Sequence, residues 1–233
     1  MISVVMAAYN GEKYIIEQLR SVLSQLGEDD EVIISDDKPE GNTYPAIKEL
    51  LGQDRRIVYT EGPRKGVIKN FESAIEKARG EYIFLCDQDD VWLDGKVEAV
   101  KKELDGGALV VMHDAFITDE NLNVKENSFF ASHGTKTGII NNIVRNSYIG
   151  CCMAFSAKLK PHILPFPDNL PMHDQWIGLV GEKAGRVSLI DKQYIYYRRH
   201  EGAVTGGATT FAQKLKWRAA IIKDLTGKQV DLK

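Results

Sequence analysis

The chain has 233 residues, and 30 lysine and arginine residues against 33 aspartate and glutamate residues give it a formal net charge of −3. Its composition, 43% hydrophobic and 27% charged, is typical of a globular protein. These values exclude an intrinsically disordered chain, and the balanced charge argues against a general nucleic-acid binder.

The cysteines and the apolar runs bear on the compartment. Cys86, Cys151 and Cys152 are odd in number and lack C-x-x-C spacing, so no disulfide framework is expected and a reducing compartment is favoured. The longest apolar runs, such as Ala108–Met112, fall far short of the roughly 20 residues of a membrane helix. The sequence therefore predicts a cytoplasmic protein.

The first 113 residues alternate strand and helix patterns. Strands are predicted at Ile2–Ala7, Glu31–Ser35, Arg56–Thr60, Glu81–Cys86 and Ala108–His113. Apolar residues at helical spacing lie between them, as in Ile15, Leu19, Val22, Leu23 and Leu26 before the second strand, Val67, Phe71, Ala74, Ile75 and Ala78 before the fourth, and Leu93, Val97, Val100 and Leu104 before the fifth. Thr43 is a candidate cap of a further helix. This alternation predicts an α/β fold with a mostly parallel central sheet flanked by helices.

The alternation ends after residue 113. Residues 114–137 look like loop with a weak strand at Ala115–Thr118, and they are followed by a small-residue apolar segment at Tyr148–Phe155, a helix at Met172–Gly181, strands at Val187–Ile190 and Gln193–Arg198, and a basic amphipathic helix at Thr210–Leu225. No repeat or interdomain linker is visible. We therefore expect one domain over residues 1–233, with functional halves 1–113 and 114–233.

Polar residues follow the predicted strands. They are Tyr9-Asn10, Asp36-Asp37, the loop Pro63–Asn70, and Asp87-Gln88-Asp89-Asp90. Ligands of parallel α/β sheets bind beyond the carboxyl ends of the strands, so these groups are expected to meet at one site. Polar strand ends also occur without any function.

The acidic run at residues 87–90 is the sharpest of these features. Its three carboxylates repel one another unless a cation neutralises them, and Mg²⁺ or Mn²⁺ prefers such oxygen ligands. Capping of the next helix by Asp90 or Asp94 is the structural alternative, but it leaves Asp87 and Asp89 unexplained.

Six motifs in order resemble family 2 glycosyltransferases over nearly the whole chain, in particular the bacterial surface-polysaccharide, rhamnosyltransferase-like branch. They are Val4–Tyr9 with Asn10-Gly11, Asp36-Asp37, Gly66–Asn70 with Phe71, Asp87-Gln88-Asp89-Asp90-Val91-Trp92, Met172-His173-Asp174, and Tyr197-Arg198-Arg199-His200. The resemblance implies a GT-A fold and a UDP- or dTDP-sugar donor. It also implies Mg²⁺ or Mn²⁺ and inversion at the anomeric carbon. Residues 1–113 would then bind the nucleotide-sugar and residues 114–233 a glycan or lipid-linked acceptor.

The resemblance also implies roles for individual residues. Asp174 would be the general base, Asp89 and His200 would hold the metal, and the donor would meet Ala8, Tyr9, Asn10, Asp36, Asp37, Asn70, Asp87 and Gln88. Arg198 is a further candidate for the diphosphate, since a guanidinium binds phosphate oxygens in bidentate fashion, although a solvent-facing basic strand is its alternative.

Three further segments carry expectations. Lys38-Pro39 stands where the family usually has Gly-Ser, so the nucleotide loop is expected to have an unusual shape. The glycine-rich segment 201–210 is a candidate lid, or a loop that is simply mobile. The last helix is a candidate for peripheral contact with the inner face of the membrane, against packing on the domain.

Two rival functions remain open. Asp87-Gln88-Asp89-Asp90-Val91 also fits the nucleophile loop of haloacid-dehalogenase-type phosphatases, but that loop normally ends the first strand and here it ends the fourth. A non-catalytic nucleotide-sugar binder is the other alternative, motivated by Lys38-Pro39 and opposed by the presence of Asp89 and Asp174.

Overall fold

In a computed structural model, which describes residues 1–200 and 210–230, nine strands form one sheet with helices packed against it. The strands are β1 (Ile2–Ala8), β2 (Glu31–Asp36), β3 (Ile57–Glu61), β4 (Tyr82–Asp87), β5 (Val91–Trp92), β6 (Val110–Thr118), β7 (Val124–Glu126), β8 (Met153–Ser156) and β9 (Val187–Arg198). The helices are α1 (Ile15–Leu23), α2 (Thr43–Gln53), α3 (Val67–Lys77), α4 (Lys96–Asp105), α5 (Phe129–His133), α6 (Ile139–Val144), α7 (Lys160–Ile163), α8 (His173–Ala184) and α9 (Phe211–Gly227).

The first part of the sheet has the order β3-β2-β1-β4, and all of its pairs are parallel. Val5 of β1 lies between Ile33 of β2 and Leu85 of β4, and all three side chains are buried. A strand buried on both faces must be apolar along its length, which is why the continuous apolar run predicted it. The parallel α/β pattern predicted for these strands is therefore confirmed.

The second part of the sheet departs from the prediction. β8 lies between β4 and β6 and is antiparallel to both, so the whole sheet is mixed. The two strands predicted near residues 187–198 are one strand, β9, which runs parallel to β6 with shifts of register. The weak strand at Ala115–Thr118 is the continuation of β6.

The predicted division of the chain at residues 113 and 114 falls inside β6. Strands from both sides of that division belong to the same sheet. Among residues 1–200 and 210–230, no helix is both long enough and apolar enough to cross a bilayer.

Two predicted helix caps also differ from the structure. Asn42 occupies the cap position of α2 without a side-chain hydrogen bond, and the Thr43 hydroxyl instead accepts a hydrogen bond from the Gly11 N–H at 3.0 Å. Gly95, rather than Asp90 or Asp94, is the cap residue of α4. The carboxylates of the acidic run are therefore not used for helix capping.

Close packing of α8 on the sheet requires a glycine. A Cβ added at Gly181 would overlap Cγ2 of Val110 in buried β6 and would lie 3.6 Å from Val187 in β9. Because the β-branched side chain of Val110 cannot rotate freely away, the helix can approach only through glycine. This approach sets the position of the first turn of α8, which carries His173 and Asp174.

We expect Gly181→Ala to lower the free energy of unfolding by about 1–3 kcal/mol, the usual cost of overpacking a filled core. Gly52→Ala in α2 is the matched control, since a Cβ there meets nothing within 4 Å. That substitution should stabilise by about 0.5–1 kcal/mol through helix propensity. Urea denaturation measures both, and equal stabilisation by the two alanines would contradict the packing argument.

Candidate functional site

A pocket of about 1120 Å³ opens at the carboxyl ends of β1 and β4. Every residue predicted for the site lines it except Asp36. The residues so placed are Ala8, Tyr9, Asn10, Asp37, Asn70, Asp87, Gln88, Asp89, Asp174, Arg198 and His200. The convergence of polar strand ends inferred from the sequence is therefore present.

Asn70 joins the ends of two strands beneath the pocket. Its side chain is 2% exposed, and its Nδ2 donates to the carbonyl oxygens of Ala8 at 3.2 Å and Ser35 at 2.8 Å. The amide thus spans the splayed ends of β1 and β2, where ladder hydrogen bonds stop. Asn70 fixes the shape of the pocket wall from the first turn of α3.

Asp37 organises the loop that precedes α3. Its Oδ1 accepts from the Arg64 N–H at 2.5 Å, and its Oδ2 accepts from the Gly66 N–H at 2.6 Å. Gly66 has φ of +83°, a conformation that glycine adopts without strain. A carboxylate has about four acceptor sites, so Asp37 keeps acceptor capacity for a ligand in the pocket that it lines.

Asp36 has a different place from the one expected. Its side chain is fully buried, with Oδ1 accepting from the Lys38 N–H at 3.0 Å and Oδ2 from the Tyr59 hydroxyl at 2.9 Å. Burial, followed by this bond, raises the pKa of Tyr59 above its ordinary value. The structure corrects the expectation for Asp36, whose carboxylate holds the start of the Lys38-Pro39 loop and does not face the pocket.

Gln88 binds the end of β1 through both ends of its amide. Its Oε1 accepts from the Tyr9 N–H and its Nε2 donates to the Tyr9 carbonyl, each at 2.9 Å. A Cβ at residue 11 would overlap Oε1 of Gln88, so Gly11 leaves the space for this pairing. The pairing leaves the Tyr9 ring 55% exposed at the pocket and fixes the acidic turn, residues 87–90, against β1.

The carboxylates of the acidic turn differ in environment. Burial, reinforced by the charges of Asp89 and Asp174, raises the pKa of Asp87 to about 7. Asp90 is fully buried, which raises its pKa well above the ordinary value, and its Oδ1 accepts from the Arg198 N–H at 2.9 Å. Asp87 and Asp89 line the pocket, whereas Asp90 lies beneath it.

A buried lysine lies close to the acidic turn. Lys96 is 1% exposed, its Nζ donates to the Cys151 carbonyl at 2.8 Å, and the ammonium lies 3.9 Å from the centre of the Trp92 ring. Its positive charge opposes the rise in the pKa of Asp87. Sequence patterning missed Lys96, because a lysine in the first turn of an amphipathic helix normally faces solvent.

Arg198 supports the acidic turn from the other side. Its guanidinium donates to the carbonyl oxygens of Asp89 and Glu120 and to the Glu17 carboxylate, each at 2.6 Å, and the side chain is 4% exposed. It also lies 4.4 Å from the centre of the Tyr14 ring. These three bonds use three of the five guanidinium N–H groups, and Arg198 also lines the pocket, so its contact with a diphosphate stays a prediction.

His200 and Asp89 meet at the pocket as expected for a shared site. Nε2 of His200 lies 2.8 Å from Oδ2 of Asp89, and the imidazole packs 5.2 Å from the Tyr14 ring. The neighbouring lid candidate, residues 201–210, lies outside the described residues apart from Thr210.

The donor set fits a hard divalent cation. Asp87 and Asp89 both line the pocket, and His200 places an imidazole nitrogen beside the Asp89 carboxylate. Asp87, Asp90 and Cys151 also lie close together, with ligand atoms within 4.8 Å of one another. That deeper set is less suitable, because Asp90 and Cys151 are fully buried and a thiol is a poor ligand for Mg²⁺ or Mn²⁺.

Asp174 projects from the first turn of α8 into the pocket. Its side chain is 7% exposed, and its Oδ1 accepts from the Gln175 N–H at 2.5 Å and from Nδ2 of Asn146 at 3.3 Å. Burial raises the pKa of Asp174 to about 6 despite these bonds. A carboxylate with this pKa is ionised at pH 7 and is a better base than an exposed one.

His173 lines the same pocket and was not among the residues predicted for the site. It is 4% exposed, and its ring stacks on Phe71 with centroids 4.1 Å apart. The sequence carried a signal for it only as the middle residue of the Met172-His173-Asp174 motif.

Comparison with known proteins shows the family of the chain. Residues 3–161 match Glycosyl transferase family 2. An uncharacterized glycosyltransferase of Methanocaldococcus jannaschii is 33% identical over 131 residues, which are 53% of this chain and 44% of the relative, so the chain spans less than half of that protein's length. WfaP of Escherichia coli, named as a UDP-Glc:alpha-D-GlcNAc-diphosphoundecaprenol beta-1,3-glucosyltransferase, is 26% identical to this chain. The alignment covers 88% of this chain and 80% of WfaP.

A crystal structure of S. aureus TarS with UDP-GlcNAc superposes with a TM-score of 0.75 at 22% identity. The superposition covers 95% of this chain and 66% of that one, and it supports the GT-A fold. Since the family match covers more than half of the 233 residues, the chain belongs to glycosyl transferase family 2.

Proposed function

We propose that the chain is an inverting glycosyltransferase that moves a sugar from a nucleotide-diphospho-sugar to a hydroxyl group of a glycan or lipid-linked acceptor. One observation carries the proposal. The buried carboxylate of Asp174, with a pKa of about 6, and the carboxylates of the acidic turn line one pocket in a chain of this family. A general base and a site for a diphosphate in the same pocket are what the transfer of a sugar from a nucleotide-sugar requires.

The donor is assigned to the part of the pocket near β1 and α3. Ala8, Tyr9 and Asn10 would border the nucleotide, and Asp37 would accept hydrogen bonds from its base or ribose. Asn70 would shape this wall from below. The names of two relatives favour a uridine nucleotide, since TarS was crystallised with UDP-GlcNAc and WfaP is named for UDP-Glc.

Asp87 and Asp89 would hold Mg²⁺ or Mn²⁺, with His200 as a further ligand beside Asp89. When bound, the ion would supply positive charge against the leaving diphosphate. Arg198 would keep the turn in place through the Asp89 carbonyl and the Asp90 carboxylate. Gln88 would do the same from the side of β1.

Asp174 would act as the general base. Its carboxylate takes the proton of the acceptor hydroxyl as that oxygen bonds to the anomeric carbon, while the bond from this carbon to the diphosphate oxygen breaks. Attack on the face opposite the leaving group inverts the anomeric centre. Asn146 and the Gln175 N–H orient the carboxylate through Oδ1, and the Gly150 N–H also bonds to this carboxylate.

The acceptor would be an intermediate of polysaccharide synthesis. The name of WfaP supports this, because it specifies a sugar linked to diphosphoundecaprenol. The rhamnosyltransferase-like branch stays a prediction. So do the hexosyl or deoxyhexosyl nature of the transfer and the cytoplasmic location.

The last helix offers a surface for an anionic membrane, in keeping with a lipid-linked acceptor. Phe211, Leu215 and Ile222 of α9 share one face and are 72%, 48% and 46% exposed. Exposed Ile140 and Val144 belong to α6, which packs against α9, and exposed Lys214, Lys216 and Lys223 flank the apolar face of α9. This combination suits the interface of an anionic bilayer.

We expect the protein to sediment with phosphatidylglycerol vesicles, and Phe211→Ser with Leu215→Ser to lower the bound fraction at least about fivefold, since buried apolar area drives interfacial binding. Val124→Ser, at a residue 43% exposed in β7, is the matched control and should leave binding unchanged. Failure of the unaltered protein to sediment would refute the membrane contact.

The function itself is tested with a panel of nucleoside diphosphates and nucleotide-sugars in the presence of Mn²⁺. A ligand that binds only the folded state raises the melting temperature. At a ligand concentration 100 times the Kd, the free energy of unfolding rises by about 2.7 kcal/mol. Transfer to an acceptor is then followed with the donor that binds. Binding without transfer to any acceptor favours a non-catalytic binder, and phosphate release from simple esters with trapping on Asp87 favours a phosphatase.

A further inference from the structure

His173 combines deep burial with a lack of partners. Within residues 1–200 and 210–230, neither Nδ1 nor Nε2 of its ring has a hydrogen-bond partner, although the side chain is 4% exposed. Buried polar atoms without partners are rare in folded proteins, because each loses its hydrogen bonds to water without replacing them. A ligand in the pocket that His173 lines would replace these hydrogen bonds.

Both ring nitrogens of His173 are almost inaccessible to water, and the residue beside Nε2 is a glycine and not a larger residue. The ring is held on one side by stacking on Phe71. On the side of Nε2 the neighbour is Gly150, where an added Cβ would lie 3.0 Å from Nε2 and 3.8 Å from Cβ of Asp174. Gly150 also lines the pocket, so the absence of a side chain there keeps the space next to the imidazole and the base open.

The chemistry of the ring points to a hydroxyl group. Burial lowers the pKa of His173 to about 3, so the imidazole is neutral at pH 7 and offers one donor and one acceptor. A hydroxyl group can both donate and accept, whereas a phosphate oxygen at neutral pH only accepts. A sugar is therefore a better match for this ring than the diphosphate.

The position of the ring favours the donor over the acceptor. Phe71, on which His173 stacks, follows Asn70 in α3, and the first turn of this helix forms the wall assigned to the donor. Asp174, the next residue after His173, must face the anomeric carbon. We propose that His173 hydrogen-bonds a hydroxyl group of the sugar carried by the donor and so acts in the recognition of that sugar. This inference rests on the proposed function.

Calorimetric titration with Mn²⁺ tests the proposal by comparing UDP, UDP-glucose and the singly deoxygenated analogues of UDP-glucose, or the thymidine series if the panel selects it. His173→Phe retains a ring for stacking on Phe71 and removes both nitrogens. We expect unchanged affinity for the nucleoside diphosphate and about tenfold weaker binding of the nucleotide-sugar, the effect of one hydrogen bond. His173→Gln should regain part of the loss.

Combining the His173→Phe substitution with deoxygenated ligands distinguishes recognition of the sugar from a structural effect of the substitution. One deoxygenated analogue should bind the unaltered protein about tenfold more weakly and lose nothing further with His173→Phe. His133→Phe is the matched control, because His133 also stacks on a phenylalanine, Phe129, but is exposed and lies outside the pocket.

Two results overturn the proposal. If His173→Phe weakens the nucleoside diphosphate as much as the nucleotide-sugar, or if no analogue is coupled to His173, the residue does not recognise the sugar and the proposed function stands. If the unaltered protein binds no nucleotide-sugar at all, the proposed function fails and this inference fails with it.

Discussion

Asp174→Asn should lower kcat for sugar transfer about 100- to 10,000-fold, which is the contribution of a positioned general base. The amide keeps Oδ1 as an acceptor for the Gln175 N–H, so the first turn of α8 is expected to retain its geometry. Donor affinity, measured by calorimetry with Mn²⁺, should change less than twofold. Transfer by this variant at the normal rate would rule out Asp174 as the base.

The pH dependence of the unaltered enzyme gives an independent measurement. Because burial raises the pKa of Asp174 to about 6, the ionised base is lost as the pH falls through 6. The value of kcat/KM should therefore fall tenfold per pH unit below about pH 6 when donor and metal are saturating. Asp174→Asn should lack this acid limb.

Ionised Asp174 should also lower the free energy of unfolding above about pH 6. A carboxyl whose pKa is higher in the folded chain than in the unfolded chain stabilises the fold below the unfolded pKa, and this stabilisation is lost as the pH rises through about 6. Asp174→Asn is then expected to be more stable than the unaltered protein at pH 7, by about 2–3 kcal/mol for a shift of about two pKa units. Urea denaturation at pH 4 and pH 7 measures the difference.

Asp89→Ala should abolish the metal-dependent part of donor binding. We expect the affinity for the nucleotide-sugar with Mn²⁺ to fall about 100-fold or more, to the value that the unaltered protein shows in EDTA. The effect is large because the substitution removes a ligand of the metal itself. Arg198 holds the acidic turn through the Asp89 carbonyl and the Asp90 carboxylate, so removing the side chain of Asp89 leaves those bonds in place.

The matched control for this variant is Asp29→Ala, which removes an exposed aspartate just before β2, at the opposite edge of the sheet. It should bind the donor normally. If Asp89→Ala still responds to Mn²⁺ as strongly as Asp29→Ala does, the metal is held elsewhere, and the deeper set of Asp87, Asp90 and Cys151 becomes the next candidate.

Local patterns were sufficient to predict the first half of the fold. The apolar runs of β1, β2 and β4 and the stripes of α1 and α3 each follow from burial against an adjacent part of the chain. β8 could not be predicted in this way, because its partners β4 and β6 are set by tertiary packing and its four residues carry no alternation. The exposed Asp191 and Lys192 made β9 look like two strands, although its backbone continues through them.

The site was predicted where residue type alone indicates the chemistry, and missed where the role depends on a partner. The acids at 87 and 89 were singled out by their residue type at the end of a strand, whereas Asp174 was singled out only by the family resemblance, and its role as base stays a prediction. Asp36 could not be separated from Asp37, because successive strand residues point to opposite sides and the sequence does not say which side faces a ligand. Lys96 and Arg198 are charged residues that normally face solvent, and only the fold reveals their buried partners.

The antiparallel insertion of β8 has a consequence for exchanging acceptor specificity between relatives. Ile83 of β4 pairs with Phe155 of β8, so in a chimera cut near residue 113 the neighbour of β4 comes from the transplanted half, and a poor match there leaves β4 as an open edge. Open edges of this kind invite intermolecular pairing and aggregation. A transplanted acceptor half must therefore carry a segment equivalent to Met153–Ser156 that matches β4 in register, and we expect a mismatch there to increase aggregation of the hybrid.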